Sequence, residues 1–420
     1  MLPWRRALRG SRRFAVADAH PQPAPPERKQ SRAQALVALS GPGRASWTAR
    51  DFGALAREGY GKNPVAYRCI RMIAEAAASV PLVVFSSGQR APDHPLQRLL
   101  ERPNREQAGP DLLESFFGAL QTAGDAYLEA AGEPGAAPAE LYVLRPDRVA
   151  VVPGAQGWPD AYDYTVDTRT VRIGREADGF LPVLHSRLLN PVDDHYGYPP
   201  LQAAAFAIDI HNASGAWNKA LLDNAARPSG ALVFSGREGS EHLSADQFDR
   251  LKAELERAHT GAAAAGRPLL LEGGMDWKPM SLTPAEMDFI NGKHVAAREI
   301  ALAFGVPPQL IGVPGDNTYA NYKEANSAFW RQTIAPLAER TARALTAWLS
   351  PRFGEADSGA GVRVTCDLDL VPALSAERDA LWARLQAASF LTDAERRRMA
   401  GLGEAPDTAP LGEISESPDA

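Results

Sequence analysis

Two stretches of this 420-residue chain, Leu201 to Ala226 and Thr283 to Gly305, carry the marks of unusually long helices, and some fifty residues separate them. The first follows Pro199-Pro200 and ends at Arg227-Pro228. At 1.5 Å per residue it would measure roughly 39 Å, longer than most small domains are wide. Phe206, Ile210, Ala213, Trp217 and Leu221 fall on one face, which predicts a buried stripe, while Ala, Ser and Gly fill much of the remainder. The second opens with Thr283-Pro284-Ala285-Glu286, a capping box with proline at the first helical position. Met287, Ile290, Val295, Ile300 and Phe304 give its apolar side. Two such helices around a small insert predict an antiparallel pair with a module at its tip. A single core rarely grows beyond roughly 250–300 residues, so an elongated or multidomain subunit is expected.

The first half of the chain reads differently. Helices are predicted from Thr48 with Asp51 as a capping box, from Asn63-Pro64 to Ser79, from Pro95 to Glu101 and from Asp111 to Thr122. Pro81 to Phe85 is a short strand. From Ala126 to Asn190 the apolar period becomes two, with strands at 141–144, 149–152, 162–166, 171–173 and 182–184, so an α+β fold with a largely antiparallel sheet is expected. Within the insert, strands are predicted at Ala231 to Phe234 and Pro268 to Leu271, with a helix opened by Ser244 and Gln247. A third long helix, about Tyr319 to Leu349, contains Pro336 and should kink near Ala335. A strand at Val362 to Leu370 and two final helices follow, the second opened by Thr392 and Glu395.

Charge and cysteine content narrow the function. Residues 1–32 carry eight basic groups against Asp18 and Glu27, so the remainder holds about −12 of the net −6 balance. So acidic a body does not suit tight duplex binding, because phosphate affinity comes from Lys and Arg. Only Cys69 and Cys366 occur, which excludes a disulfide framework and a cysteine zinc site and fits a reducing compartment. The Arg-rich start lacks an apolar export segment and runs into Pro21 to Pro26, so a flexible arm is expected there. No apolar run reaches the length of a membrane span.

Most catalytic signatures are missing: there is no phosphate-binding G-x-x-x-x-G-K-[ST], no G-x-S-x-G and no H-E-x-x-H. The one enzyme-like grouping is His185 with Asp193, Asp194 and His195, donors that suit a divalent metal in a hydrolase. Asn190-Pro191 and Tyr198-Pro199-Pro200 mark the same stretch as a turn-rich junction, where Asp commonly bonds backbone amides. The expectation is no enzyme, no metal and no cofactor.

Gly305-Val306-Pro307-Pro308-Gln309-Leu310-Ile311-Gly312, then Asn317-Thr318-Tyr319-Ala320-Asn321-Tyr322 and Phe329 to Pro336, resemble the portal proteins of tailed phages, in the branch that accompanies the Hong Kong 97-type capsid. Asn63 to Ile70, His94 to Leu100 and His185 to Leu201 resemble the same family in the same order. Similar portals serve prophages and gene transfer agents. The resemblance implies a ring, normally of twelve subunits, at one capsid vertex. Double-stranded DNA passes through it during packaging by the large terminase subunit, retention and ejection, and the ring also contacts the major capsid protein and a head–tail adaptor. The implied locations are the bacterial cytoplasm during assembly and then the virion. A non-portal adaptor ring is the remaining structural alternative.

The implied layout is a flexible basic arm (1–45), an α/β wing (46–200), stem helices (201–226 and 281–305) around a clip (227–280), and a tunnel loop (306–323). A kinked helix (324–350), a wing strand (351–372), crown helices (373–402) and an acidic tail (403–420) complete it. On this layout Asp316, Asn317, Tyr319, Asn321 and Lys323 face the DNA, and Glu286, Asp288 and Lys293 are candidates for the stem lumen.

Overall fold

A computed structural model describes residues 47–223, 230–234, 246, 250, 275–279, 289–314, 319–353 and 361–400. The arm, most of the insert, the 283–286 capping box, the strand expected at 268–271 and the acidic tail lie outside them, as do Glu286, Asp288, Asp316 and Asn317. The described residues from Thr48 onward form one body, which is α+β, with every described strand pairing antiparallel.

Helices α1 (Phe52–Leu55), α2 (Pro64–Ala78), α3 (Pro95–Glu101) and α4 (Gly109–Ala123) form the helical part of the first half. Their ends follow from local chemistry. The Asn63 carboxamide oxygen accepts from the Val65 and Ala66 amides, both at 3.0 Å, and Pro64 takes the first helical position, where no amide is needed. His94 caps α3 in the same way through Nδ1. Thr48 does not cap α1 as predicted: Asp51 accepts from Ala54, and the Thr48 amide and hydroxyl both bond Asp209. A single carboxylate one helix away outcompetes the local box.

Helices α2 and α4 pack through Ile70, Ile73, Phe116, Phe117 and Leu120, all almost fully buried. Each such side chain contributes on the order of 2 kcal/mol. Strands β1 (Leu82–Ser86) and β2 (Gln89–Arg90) form a sheet with β11 (Arg363–Cys366) from the far end of the chain. A second sheet orders β4 (Glu140–Leu144), β3 (Asp125–Ala131) and β8 (Val183–Arg187), and a third orders β5 (Val149–Pro153), β6 (Pro159–Val166) and β7 (Arg169–Gly174). Tyr127, Leu144, Val149, Tyr162 and Val183 fill the small core between them.

The first long helix is interrupted. Helix α5 (Pro200–Ala203) ends at Ala204, where ψ flattens to −9°, and α6 (Ala205–Asp223) continues. The predicted buried stripe holds only in part: Ile210 packs against the core and Trp217 is half-buried. Ala204, Ala205, Ala207, Ile208, His211 and Ser214 are buried, whereas Phe206 is 52% exposed and Ala213 is exposed. Small residues let α6 approach its neighbours closely around Ile208. Strands β9 (Gly230–Phe234) and β10 (Met275–Pro279) pair at the base of the insert, so the second described strand lies beyond the predicted 268–271. Helix α7 (Phe289–Ala303) packs on α6 and also touches α5. Ile300 and, just after it, Phe304 are buried as expected, but Ile290 and Val295 of the predicted side are exposed, at 70% and 45%.

The third long helix divides into α8 (Tyr319–Phe329), a wide five-residue turn (Trp330–Ile334) and α9 (Ala335–Phe353). Pro336 has no amide to give, and in the wide turn the Ala335 amide reaches back five residues to the Trp330 carbonyl. The disturbance therefore falls in the turn before Ala335. Strand β11 stops at Cys366, short of the predicted Leu370, because residues 368–370 and 372–374 coil into 3₁₀ turns around Pro372. Helices α10 (Ser375–Ala387) and α11 (Asp393–Met399) close the described chain. The expected box at α11 is present: Glu395 accepts from the Thr392 amide at 2.8 Å, and Thr392 accepts from the Glu395 amide at 3.3 Å.

Candidate functional site

The segment between α7 and α8 is built from two left-handed glycines and a clamp. Gly305 (φ 66°) ends α7, its carbonyl accepting from the Thr333 hydroxyl at 2.7 Å, and Val306 returns its amide to Ala301. Pro307 and Pro308 start a 3₁₀ turn that Gly312 (φ 74°) closes. Arg298 of α7 reaches over to the Pro314 carbonyl at 2.7 Å, and Val313 is buried. Residues 305–314 are thus held against α7 and the wide turn.

Beyond it, α8 presents Asn321, Tyr322, Lys323 and Glu324 on its exposed first turns, while Ala325 and Phe329 anchor it in the core. Tyr319 opens the helix. Of the predicted channel residues, Asn321 and Lys323 are therefore exposed side chains on the element that follows residues 305–314. Of the stem candidates, Lys293 is half-buried and turned toward α6: a Cβ on Gly215 would lie 4.0 Å from its Nζ. Together with burial, which acts more strongly, the Lys293 charge holds the His211 imidazole below its ordinary pKa.

The four metal-ligand candidates do not converge. His185 bonds Asp125 at 2.8 Å through Nε2, with both side chains nearly buried, and stacks on Tyr127 with ring centroids 4.3 Å apart. Asp125 also accepts from the Gly197 amide at 2.9 Å. Asp193 accepts the amides of His195 and Tyr196, and these bonds hold its carboxyl below the usual range. The Asp194 carbonyl receives Arg187. Among the described residues, no three His, Cys, Asp or Glu side chains form a group able to hold a metal. The cluster is a junction that locks the β8–α5 loop to the start of β3. Asp125, its centre, was missed in the sequence because it sits at a helix–strand turn where an acid is ordinary.

The family model for phage portal proteins matches residues 64–401. A protein of Rickettsia bellii (strain RML369-C) is 40% identical over 354 residues, which cover 83% of this chain and 89% of the other. A chain in the neck of a native gene transfer agent particle, computed with C12 symmetry, superposes with a TM-score of 0.65 at 50% identity, covering 88% of this chain and 98% of that one. An HK97-family phage portal protein from Corynebacterium diphtheriae shares the fold at 16% identity and a TM-score of 0.52, over 78% of this chain and all of its own. The chain belongs to the phage portal protein family. That family is structural rather than catalytic, and the hydrolase reading of His185, Asp193, Asp194 and His195 is withdrawn.

Proposed function

We propose that this chain is the subunit of a twelve-membered portal ring at one vertex of a phage-like or gene transfer particle. The supporting observation is its 50% identity, over nearly nine-tenths of its length, to the C12 neck chain. Residues 46–200 with the returning strand 351–372 act as the wing, α5–α6 and α7 as the stem, and 227–280 as the clip that meets the terminase. Residues 306–323 act as the tunnel loop, 324–350 as the kinked helix, and 373–402 as the crown. Asp316, Asn317, Tyr319, Asn321 and Lys323 meet the DNA, with Glu286, Asp288 and Lys293 in the stem lumen. The ring also joins the major capsid protein and the adaptor, assembling in the bacterial cytoplasm before incorporation into the particle.

Electrostatics favours a conduit of this kind. A lumen lined with many Lys and Arg would hold phosphates and brake a moving duplex. The net charge of −6 with scattered lysines avoids that brake. Native mass measurement with negative-stain imaging tests the reading. Twelve copies of the 45.1 kDa chain, about 540 kDa with a central hole, are expected. A closed ring without a through-channel would instead indicate an adaptor.

A further inference from the structure

The three sheets outside the insert end in six outer strands, β11 and β2, β4 and β8, and β5 and β7. Five of these edges are closed or cut short. Thr346 of α9 takes the Val364 amide of β11 at 2.9 Å. On β4, the Leu141 amide bonds the Pro103 carbonyl at 2.7 Å, and its carbonyl receives the Asn104 amide nitrogen at 3.0 Å. Arg340 of α9 bonds the Arg187 carbonyl of β8, and the Tyr196 hydroxyl accepts from the Val151 amide of β5 at 3.0 Å. Strand β2 is only two residues long. Strand β7 is the exception: Arg169 to Arg172 are all exposed, and among the described residues no group outside its own sheet bonds residues 169–174. A bare edge of this kind is a template for one more strand.

The hairpin fixes which groups that edge offers. Val166 stands opposite Arg169 across the two-residue turn Asp167-Thr168, which makes them a hydrogen-bonded pair. Bonded pairs alternate, so Arg169, Val171 and Ile173 bond β6, while Thr170 and Arg172 turn N–H and C=O to the open side. Arg169 and the half-exposed Val171 share one face, and Thr170 and Arg172 share the other. Arg172 uses Nε and Nη2 on Asp163, at 2.7 and 2.8 Å, which leaves Nη1 for a second acid. With two arginines and no acid, residues 169–174 repel a second copy of themselves and select an acidic strand.

The stretch from Gly403 to Ala420, outside the described residues, holds five acids and no base. Within it Glu413-Ile414-Ser415-Glu416 complements the edge residue by residue. Laid antiparallel with Glu416 opposite Arg169, it sets Ser415 opposite Thr170, Ile414 opposite Val171 and Glu413 opposite Arg172. Both charges, the hydroxyls and the apolar pair then match. A slip of one residue pairs neither acid with an arginine, and the parallel arrangement sets Ile414 against Thr170 and Ser415 against Val171. Pro410 and Pro418 bound the run. We propose that Glu413 to Glu416 adds to β7 as the fourth strand of the third sheet, in this antiparallel register. The proposal does not depend on the ring reading above.

The test uses the full chain in a Cys366→Ser background, since Cys69 is buried. Val171→Cys with Ile414→Cys places the two thiols opposite each other on one face. Val171→Cys with Ser415→Cys places them on opposite faces. With oxidised glutathione, the first pair is expected to form a disulfide and the second to lag far behind. A bond within one chain or between two chains supports the pairing, and gel mobility shows which copy supplies the strand. Adding Arg169→Glu should slow the bond about fivefold, and Glu416→Arg on top of it should restore the rate. No disulfide in the first pair, equal rates in the two pairs, or no restoration by the charge exchange overturns the proposal.

Discussion

The orientation of one amide decides the protonation of a neighbour. The Asn63 oxygen is occupied by two helix amides, so its nitrogen is the group that faces His211 Nδ1 at 3.2 Å and Asn212 Oδ1 at 3.0 Å. His211 must then accept, which requires the neutral ring, and burial with the nearby Lys293 pushes its pKa in the same direction. Below about pH 6.5 the unfolded chain takes up a proton that the folded chain resists, so stability should fall as pH drops through that value. Urea midpoints at pH 7.5 and 5.5 should show this fall, and His211→Gln, which can still accept from Asn63, should flatten it. Arg352 makes a second residue-scale case. Nearly buried at the end of α9, it pairs with Glu176 at 2.6 Å and Asp178 at 2.7 Å, and its guanidinium lies 4.3 Å from the Phe180 ring centre. Because both acids retain solvent contact, Arg352→Ala should cost about 1–3 kcal/mol, read as a lower denaturation midpoint.

At the scale of elements, the outer edge of β11 is closed by a helix. The Thr346 hydroxyl of α9 accepts from the Val364 amide at 2.9 Å and lies 3.1 Å from the Val364 carbonyl. One side chain does what another strand would do and hides an edge open to unwanted pairing. Thr346→Val, equal in shape, should lose about 1–2 kcal/mol and raise aggregation on light scattering at the same concentration. Nothing in the sequence around Thr346 announces this, because the partner is eighteen residues away and on another element. Where partners are local, as at Asn63-Pro64, His94-Pro95 or Thr392 and Glu395, helix starts were legible to the residue. Thr48 was misread because Asp209 lies 161 positions away.

For the whole molecule, the order of helices, strands and insert was legible from period and punctuation, and the family from short ordered motifs. The exposed side of α6 was not. An apolar stripe predicts burial without saying by what, and here the buried face is centred on Ala204, Ala207, Ile208 and His211, leaving Phe206 and Ala213 exposed. The exposed start of α8 was legible as a candidate only through the resemblance, since Asn, Tyr and Lys after a Pro-Gly segment suit any surface loop. Deleting Gly312 to Asn321 should leave the number of subunits in the ring unchanged but reduce the DNA retained per particle, measured by nuclease-protected DNA. Loss of the ring would assign the segment a structural role.

The wide turn at Trp330–Ile334 adds a last consequence. Each helical residue advances the azimuth by about 100°, and a turn holding one extra residue shifts everything before it by that angle. The direction in which Asn321 and Lys323 point is therefore set separately from the packing of α9. Straightening the turn with the same residues would swing that surface by more than a quarter of a circle, whereas removing one residue within the turn would restore a regular helix and leave the surface where it is. The turn works as a phase adjuster, letting the core and the exposed tip be tuned independently.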